Sequence, residues 1–379
     1  LVYQKRPLDA TFFDRLRRYR LDSGFSYGKN LFFYAIGLDV VHRKCIIGNE
    51  LLFILPHKYI VKDGKAMKLF IDGKEGTTGL RIFQRLQGRD DLEILQLPDA
   101  LRKDLHARED AINASDVTLL CLPDDAARES VSLLHNAHTR MLDTSTAHRT
   151  HAGWAYGFPE LSAQHREAII GGRFVAVPGC HASGFIALIT PLVSAGLLSP
   201  DTPLSCHSIT GYSGGGKRMI AQYEAEQPDS SLISPRVYGF NQRHKHLPEM
   251  QAIPGLTLPP VFSPIVAPYY SGMLVLVPIH GAMVHAAHPK QVLQECLATH
   301  YAASPVMRVL DEEEVAAWQG FLPAHAMTGK DSMELMVLGN DDRMQLAAWF
   351  DNLGKGASGA AVQCLNLMLG LPETTGLVL

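Results

Sequence analysis

Cysteine is scarce and scattered: six in 379 residues, with no CxxC pair among them. Small secreted folds are stapled by closely spaced cysteines and zinc knuckles need paired ones. Neither a disulfide framework nor a structural zinc site is therefore expected. Long apolar runs are missing too, none approaching the ~20 residues that cross a bilayer. There is also no excess of one charge. With 35 Lys and Arg against 38 Asp and Glu, a net charge of −3 leaves no footprint for nucleic acid and no call for an acidic partner. The remaining composition is that of an ordinary globular protein, 46% apolar and 19% charged, long enough for two domains. Reducing, cytoplasmic surroundings are the default for such a chain, so each cysteine is judged alone.

The first 66 residues differ from the rest. They hold 11 aromatics against 19 in the other 313 residues, and 12 basic against 6 acidic residues, which leaves the remainder near −9. Neither helical nor alternating period runs through "NLFFYAIGLDVV" or "ELLFILP", and both are too short to span a membrane. Organelle targeting segments are Ser-rich and lack acid, unlike this one. Residues 1–66 are expected to be an atypical extension outside the core. A targeting segment and an accessory element are the alternatives, and regular text begins at Met67.

From there "KLFIDG" reads as a buried strand, "KEGTTG" as a turn and "LRIFQRLQ" as a helix with Leu80, Phe83 and Leu86 on one face. Gly73, Gly76 and Gly79 are spaced GxxGxxG around Thr77 and Thr78. Such a turn lets N–H groups at a helix start approach a phosphate, although glycine turns also join strands to helices with no ligand at all. "LEILQLP", "DVTLLCLP" and "RMLDTS" are further strands, with the helix "DDAARESVSLLHNA" before the last. Strands alternating with helices predict right-handed βαβ units and a parallel sheet, hence an α/β fold. After the second strand no isolated acid waits for a ribose hydroxyl; Arg102 and Lys103 stand there instead. An arginine here suits a 2′-phosphate and favours NADP over NAD, while a solvated helix start accounts for the same residues.

The thiol of Cys180 lies where the strand of "VAVPGC" meets the apolar helix "HASGFIALITPLVSAG". Unpaired N–H groups and the dipole at a helix start favour an anion, so the position is expected to lower a thiol pKa from about 8.5. The same N–H groups would steady an oxyanion on the attacked carbon. Cys121, Cys206, Cys296 and Cys364 lie within apolar strands or helices and read as packing residues. A nucleophile needs a base. "GFNQRHKHLPEM" offers His244 and His246, which share one side if the segment is a strand, with Glu249 to orient an imidazole. No further ligands at useful spacing make a metal site of the pair. A second glycine cluster, "SITGYSGGGK", follows another strand and puts Gly214 and Gly215 at the cofactor's other end. Near the chain end, "AAWFDNLGKGASGAAVQCLNLMLG" is a strand, a turn and a helix, and Asn352 there either holds a carboxamide or merely caps the helix.

Eight stretches in order, "IDGKEGTTGLRI", "LCLPDDAA", "DTSTAHR", "YGFPEL", "VPGCHASG", "GYSGGGK", "HKHLPE" and "DNLGKGASGAAVQ", together resemble the N-acetyl-γ-glutamyl-phosphate reductases, more closely their shorter second type. The resemblance covers 67–379. It implies a Rossmann dinucleotide-binding domain (67–179 with 355–379) and a glyceraldehyde-phosphate-dehydrogenase-like α+β catalytic domain (180–354), which also carries oligomerisation into a homodimer or tetramer. It further implies NADPH as cofactor, an acyl phosphate as substrate and a thioester on Cys180. His244 and His246 would be the catalytic pair, with Arg149, Glu249 and Lys217 on the substrate side. The long type has an arginine at the position of Lys217 and lacks the histidine of "GCHASG", so its substrate contacts do not transfer directly. Two other readings remain open at this stage: a related dehydrogenase of aspartyl or aminoadipyl phosphate, and an NADP-binding redox sensor with no turnover.

Overall fold

The short apolar runs of the first half form a parallel sheet. The computed structural model describes residues 66–379, together with the backbone of an antiparallel pair, β1 (Lys44–Ile47) and β2 (Glu50–Phe53). The chain divides into two compact units between Asp63 and Gly64, and that pair lies in the first. The other expectations for residues 1–66 fall outside the described residues. Everything below concerns the second unit.

Its first sheet comprises β3 (Met67–Asp72), β4 (Leu92–Leu95), β5 (Val117–Leu120), β6 (Arg140–Asp143), β7 (Ala155–Tyr156) and β8 (Phe174–Ala176). They lie in the order β4-β3-β5-β6-β8-β7, every neighbour parallel. Helices α1 (Thr77–Leu86), α2 (Leu105–Ala114), α3 (Asp124–Ser132) and α4 (Ala163–Gly171) connect them. Both faces are covered, which is why these strands are apolar throughout rather than alternating. Leu69 and Ile71 cluster with Ile82 and Leu86 of α1, and Phe70 and Leu120 with Ile112 of α2 and Ala127 of α3. The buried face of α1 is Gly79, Ile82 and Leu86, whereas Leu80 points outward at 40% exposure. The predicted stripe is thus rotated: the helix begins at Thr77 and its small residue faces the turn. No apolar stripe announces α2, whose buried residues include Arg108.

The second sheet is mixed. Its strands are β9 (Ser205–Gly211), β10 (Arg236–Val237), β11 (Val261–Ala267), β12 (Met273–His280), β13 (Met307–Val309), β14 (Met333–Gly339) and β15 (Arg343–Phe350), ordered β10-β11-β9-β12-β15-β14-β13. Helix α5 (Cys180–Ser194) is apolar on every side because it is buried on every side, between this sheet and its neighbours. Pro191 inside it cannot donate to the carbonyl of Ala187, and the Tyr301 hydroxyl donates to that oxygen instead, at 2.8 Å. Helices α6 (Gly216–Tyr223), α7 (Leu247–Ala252), α8 (Pro289–Tyr301) and α9 (Glu312–Ala316) complete this lobe. After β15 a π-helical turn, Gly354–Ser358, leads into α10 (Gly359–Met368), whose Ala361, Leu365 and Met368 join the core of the first sheet. Arg85 of α1 is bound in turn to both oxygens of Asp331, at 2.7 and 2.8 Å, fastening the lobes from the other side. No helix among the described residues is long and apolar enough to cross a membrane.

The seam between α5 and its sheet is filled to contact. A Cβ on Gly184 would stand 2.6 Å from Val275 Cγ2 and 2.9 Å from Phe350 Cε1. Gly184→Ala is therefore expected to lower stability by about 1–3 kcal/mol despite alanine's better helix propensity. Chemical denaturation checks this, and an unchanged or raised midpoint would contradict so tight a seam.

Candidate active site

Cys180 is the first residue of α5, just beyond the carboxyl end of β8. The turn before it is pinned from the other lobe. The Glu249 carboxylate, 1% exposed, accepts from the backbone N–H of Gly179 at 3.1 Å, from the Tyr156 hydroxyl at 2.8 Å and from Arg149 Nη1 at 2.8 Å. Arg149 also donates through Nε to the Val177 carbonyl, at 2.9 Å, and through Nη2 to that of Thr144, at 3.1 Å. Three of its five N–H groups are thus spent on the scaffold, and the others remain beside the cleft. Only glycine fits at 179: a Cβ there would lie 2.4 Å from both Arg149 Nη1 and His246 Nε2. Glu249 therefore shapes the cysteine turn and holds the arginine. It is not on the wall of the cleft that Cys180 lines, and no imidazole is among its hydrogen-bond partners, which corrects the expectation that it orients one.

His244 and His246 do not sit on a strand. They occupy the turn that enters α7, with His246 as the residue before its first turn. Proximity comes from that turn rather than from a two-residue repeat. Their rings meet edge to face with centroids 4.8 Å apart. His244 Nδ1 accepts the backbone N–H of His246 at 3.3 Å, so the neutral His244 ring carries its proton on Nε2. Burial, then the charges of Lys245 and Arg149, lower His244 to about 4. Burial, followed by Arg149, holds His246 well below the ordinary 6.5. Both imidazoles are neutral at pH 7.

The thiol departs from expectation as well. Burial pushes Cys180 above the ordinary value, although Arg149, the N–H of His181 and Lys245 all pull it down. The helix start is present, yet enclosure outweighs it, so the resting group is a thiol with a ready supply of stabilising charge. Among the other described cysteines, burial takes Cys121 up to about 12, takes Cys364 up to about 12 despite the charge of Lys355, and raises Cys206 and Cys296.

Cys180, Arg149, His244, His246, Thr77, Thr78, Gly214, Gly215 and Asn352 line one cleft of about 310 Å³, to which both lobes contribute. Asn352 is tied at both ends, accepting from Gly272 N–H at 2.9 Å and donating to Ser213 Oγ at 3.1 Å, so its amide braces the loop before the second glycine cluster. Lys217 is not in this cleft; it stands exposed on α6, and Lys245 is the lysine that lines the wall. His181 and Tyr238, also there or against it, went unread in the sequence, though adjacency to the nucleophile was a signal for His181. Among the described residues no group of three or more His, Cys, Asp or Glu is arranged to hold a metal ion.

A second cavity, about 610 Å³, opens over the first glycine turn and is lined by Gly73, Gly76, Gln96, Arg102 and Lys103 among others. Gly73 has φ +86°, and a Cβ on it would fall 2.4 Å from the Cys121 carbonyl. Gly79 does not line the cavity; it closes the turn, where a Cβ would meet the Gly73 carbonyl at 2.5 Å. The bare turn, the helix start and the two basic residues fit the phosphates and adenosine of a dinucleotide.

The family model of the semialdehyde dehydrogenase NAD binding domain matches residues 97–169, and that of the semialdehyde dehydrogenase dimerisation domain matches 180–352. The chain is 48% identical over 308 residues to the N-acetyl-gamma-glutamyl-phosphate reductases of Brucella ovis and Brucella canis, covering 80% of this chain and 99% of each relative. Among solved structures, aspartate semialdehyde dehydrogenase II of Vibrio cholerae, complexed with ASA, superposes with a TM-score of 0.61 at 15% identity, over 80% of this chain and 98% of that one. The Candida albicans aspartate semialdehyde dehydrogenase with NADP gives 0.59 at 13% identity, over 81% and 99%. At such identities the likeness speaks for the fold alone.

Alkylation of Cys180 by iodoacetamide reports its ionisation. Followed against pH, the rate is expected to rise with an inflection above about 8.5, and Arg149→Ala, which removes the largest lowering charge, should move it higher still. An inflection below about 7 in the resting protein would contradict the dominance of burial.

Proposed function

Because the chain belongs to the N-acetyl-γ-glutamyl-phosphate reductase family, we propose that it reduces N-acetyl-L-glutamyl 5-phosphate to N-acetyl-L-glutamate 5-semialdehyde and phosphate through a thioester on Cys180. The observation that carries this reading is the cleft itself, where a thiol at a helix start faces a buried arginine and two neutral imidazoles. Cys180 gives its proton to the imidazole pair and its sulfur attacks the acyl carbon. The bond from that carbon to the phosphate oxygen breaks, and phosphate leaves. His246, with Nε2 against the Gly179 turn and Nδ1 buried without a partner, suits the proton acceptor; His244, with its proton on Nε2, suits the donor. Arg149 offers its unspent N–H groups to the anionic substrate.

NADPH is the cofactor we assign, supplying a hydride to the acyl carbon when bound. Gly73, Gly76, Thr77, Thr78 and Arg102 would hold it on the first lobe, where Gly79 closes the turn, with Gly214 and Gly215 across the cleft. The domains follow as 67–179 with 355–379 for the cofactor and 180–354 for substrate and self-association. The chain works as a cytoplasmic homo-oligomer in this reading, either dimer or tetramer.

Cys180→Ser is expected to abolish NADPH oxidation with the acyl phosphate while leaving NADPH binding, read by fluorescence titration, unchanged. Turnover within tenfold of the unaltered protein would overturn the thioester scheme.

A further inference from the structure

One polar chain at the cleft has no part in that scheme. Ser208 on β9 is fully buried, with its hydroxyl 2.6 Å from His181 Nδ1, and His181 Nε2 lies 2.8 Å from the Tyr238 hydroxyl. Among the described residues these are the only side-chain hydrogen bonds that Ser208, His181 and Tyr238 make. The His181 ring is held between His244 and His246, each with its centroid 5.6 Å away, and Phe262 at 5.3 Å. Tyr238 lines the cleft beside Cys180.

Counting protons fixes the direction of this chain. A buried hydroxyl that donates to nothing is costly, and Ser208 has one partner, so its O–H donates to Nδ1. Burial keeps His181 neutral by lowering it to about 3. Its single ring proton therefore sits on Nε2 and is donated to the Tyr238 oxygen. The tyrosine already accepts, and its own O–H is left to point into the cleft. A hydroxyl that accepts one bond is polarised toward donating another.

We infer that Tyr238 is a catalytic hydrogen-bond donor, aimed by Ser208 and His181, that stabilises the acyl oxygen while Cys180 is bonded to its carbon. The inference rests on the proposed function. As the sulfur–carbon bond forms, the carbonyl electron pair moves onto oxygen; as the leaving group departs with its own bonding pair, the carbonyl returns. The Tyr238 proton stays on Tyr238 throughout. Ser208 and His181 are positioning residues.

Two reagents separate this role from packing. Iodoacetamide alkylates the sulfur by displacing iodide and builds no oxyanion. Acylation by p-nitrophenyl acetate passes through one and releases p-nitrophenolate. In the full-length protein, Tyr238→Phe is expected to slow acylation of Cys180 by about 10²-fold while alkylation stays within about twofold. Ser208→Ala is expected to slow acylation severalfold in the native background and not at all in the Tyr238→Phe background. Equal slowing with both reagents, unslowed acylation, or an undiminished Ser208→Ala effect alongside Tyr238→Phe would each overturn the inference. Neither reagent is the proposed substrate, so lack of activity on N-acetyl-L-glutamyl 5-phosphate in the unaltered protein would count against the proposed function alone.

Discussion

The carboxylate of Glu249 lies at the junction of three elements that have no other reason to meet. It comes from α7 in the second lobe, and its partners are the backbone of Gly179, the hydroxyl of Tyr156 and the guanidinium of Arg149. A buried carboxylate is tolerated only when it is paired and hydrogen-bonded, and here both oxygens are occupied. Removing one partner of such a pair costs about 3–5 kcal/mol, because the other charge stays behind unpaired. The cysteine turn, the arginine and the entry to α7 are therefore fixed together, and the histidines preceding α7 arrive with them.

That arrangement accounts for the electrostatics of the cleft. Enclosure disfavours every charge not already paired, so the thiol keeps its proton and the imidazoles lack theirs. Both shifts favour the uncharged pair at rest, so the proton leaves sulfur for nitrogen only as the sulfur–carbon bond forms. Arg149 and Lys245 both pull the thiol down and push the histidines down, helping the sulfur to ionise while restraining the imidazoles from charging at rest. A sulfur protected in this way resists casual oxidation yet remains ready for an activated acyl group.

Much of the fold was legible because its elements are locally consistent. "KLFIDG", "DVTLL" and "RMLD" are short apolar runs bounded by turns, and they became strands of one parallel sheet. The helix after Cys180 was plain from its apolar length. What failed has a physical cause in each case. A two-residue spacing cannot distinguish a strand from a turn, so the histidine pair was placed on the wrong element. A carboxylate near histidines in the chain was expected to reach them, but long-range partners 70 and 100 residues away claimed it. Lys217 follows a glycine cluster, yet the direction of the new helix carries it away from the cleft, whereas Lys245, also exposed, stands on the cleft wall. The Ser208–His181–Tyr238 chain joins residues 27 and 57 positions apart, and no local pattern foretells it.

The central claim is that Cys180 carries the acyl group covalently before any hydride arrives. Mixing the protein with N-acetyl-L-glutamyl 5-phosphate in the absence of NADPH, quenching with acid within milliseconds and mapping peptides by mass spectrometry tests it directly. The account predicts an N-acetylglutamyl mass increment on the peptide that contains Cys180 and on no other, formed together with stoichiometric release of phosphate. Phosphate release with that peptide unmodified, or the increment found on another residue, would contradict it.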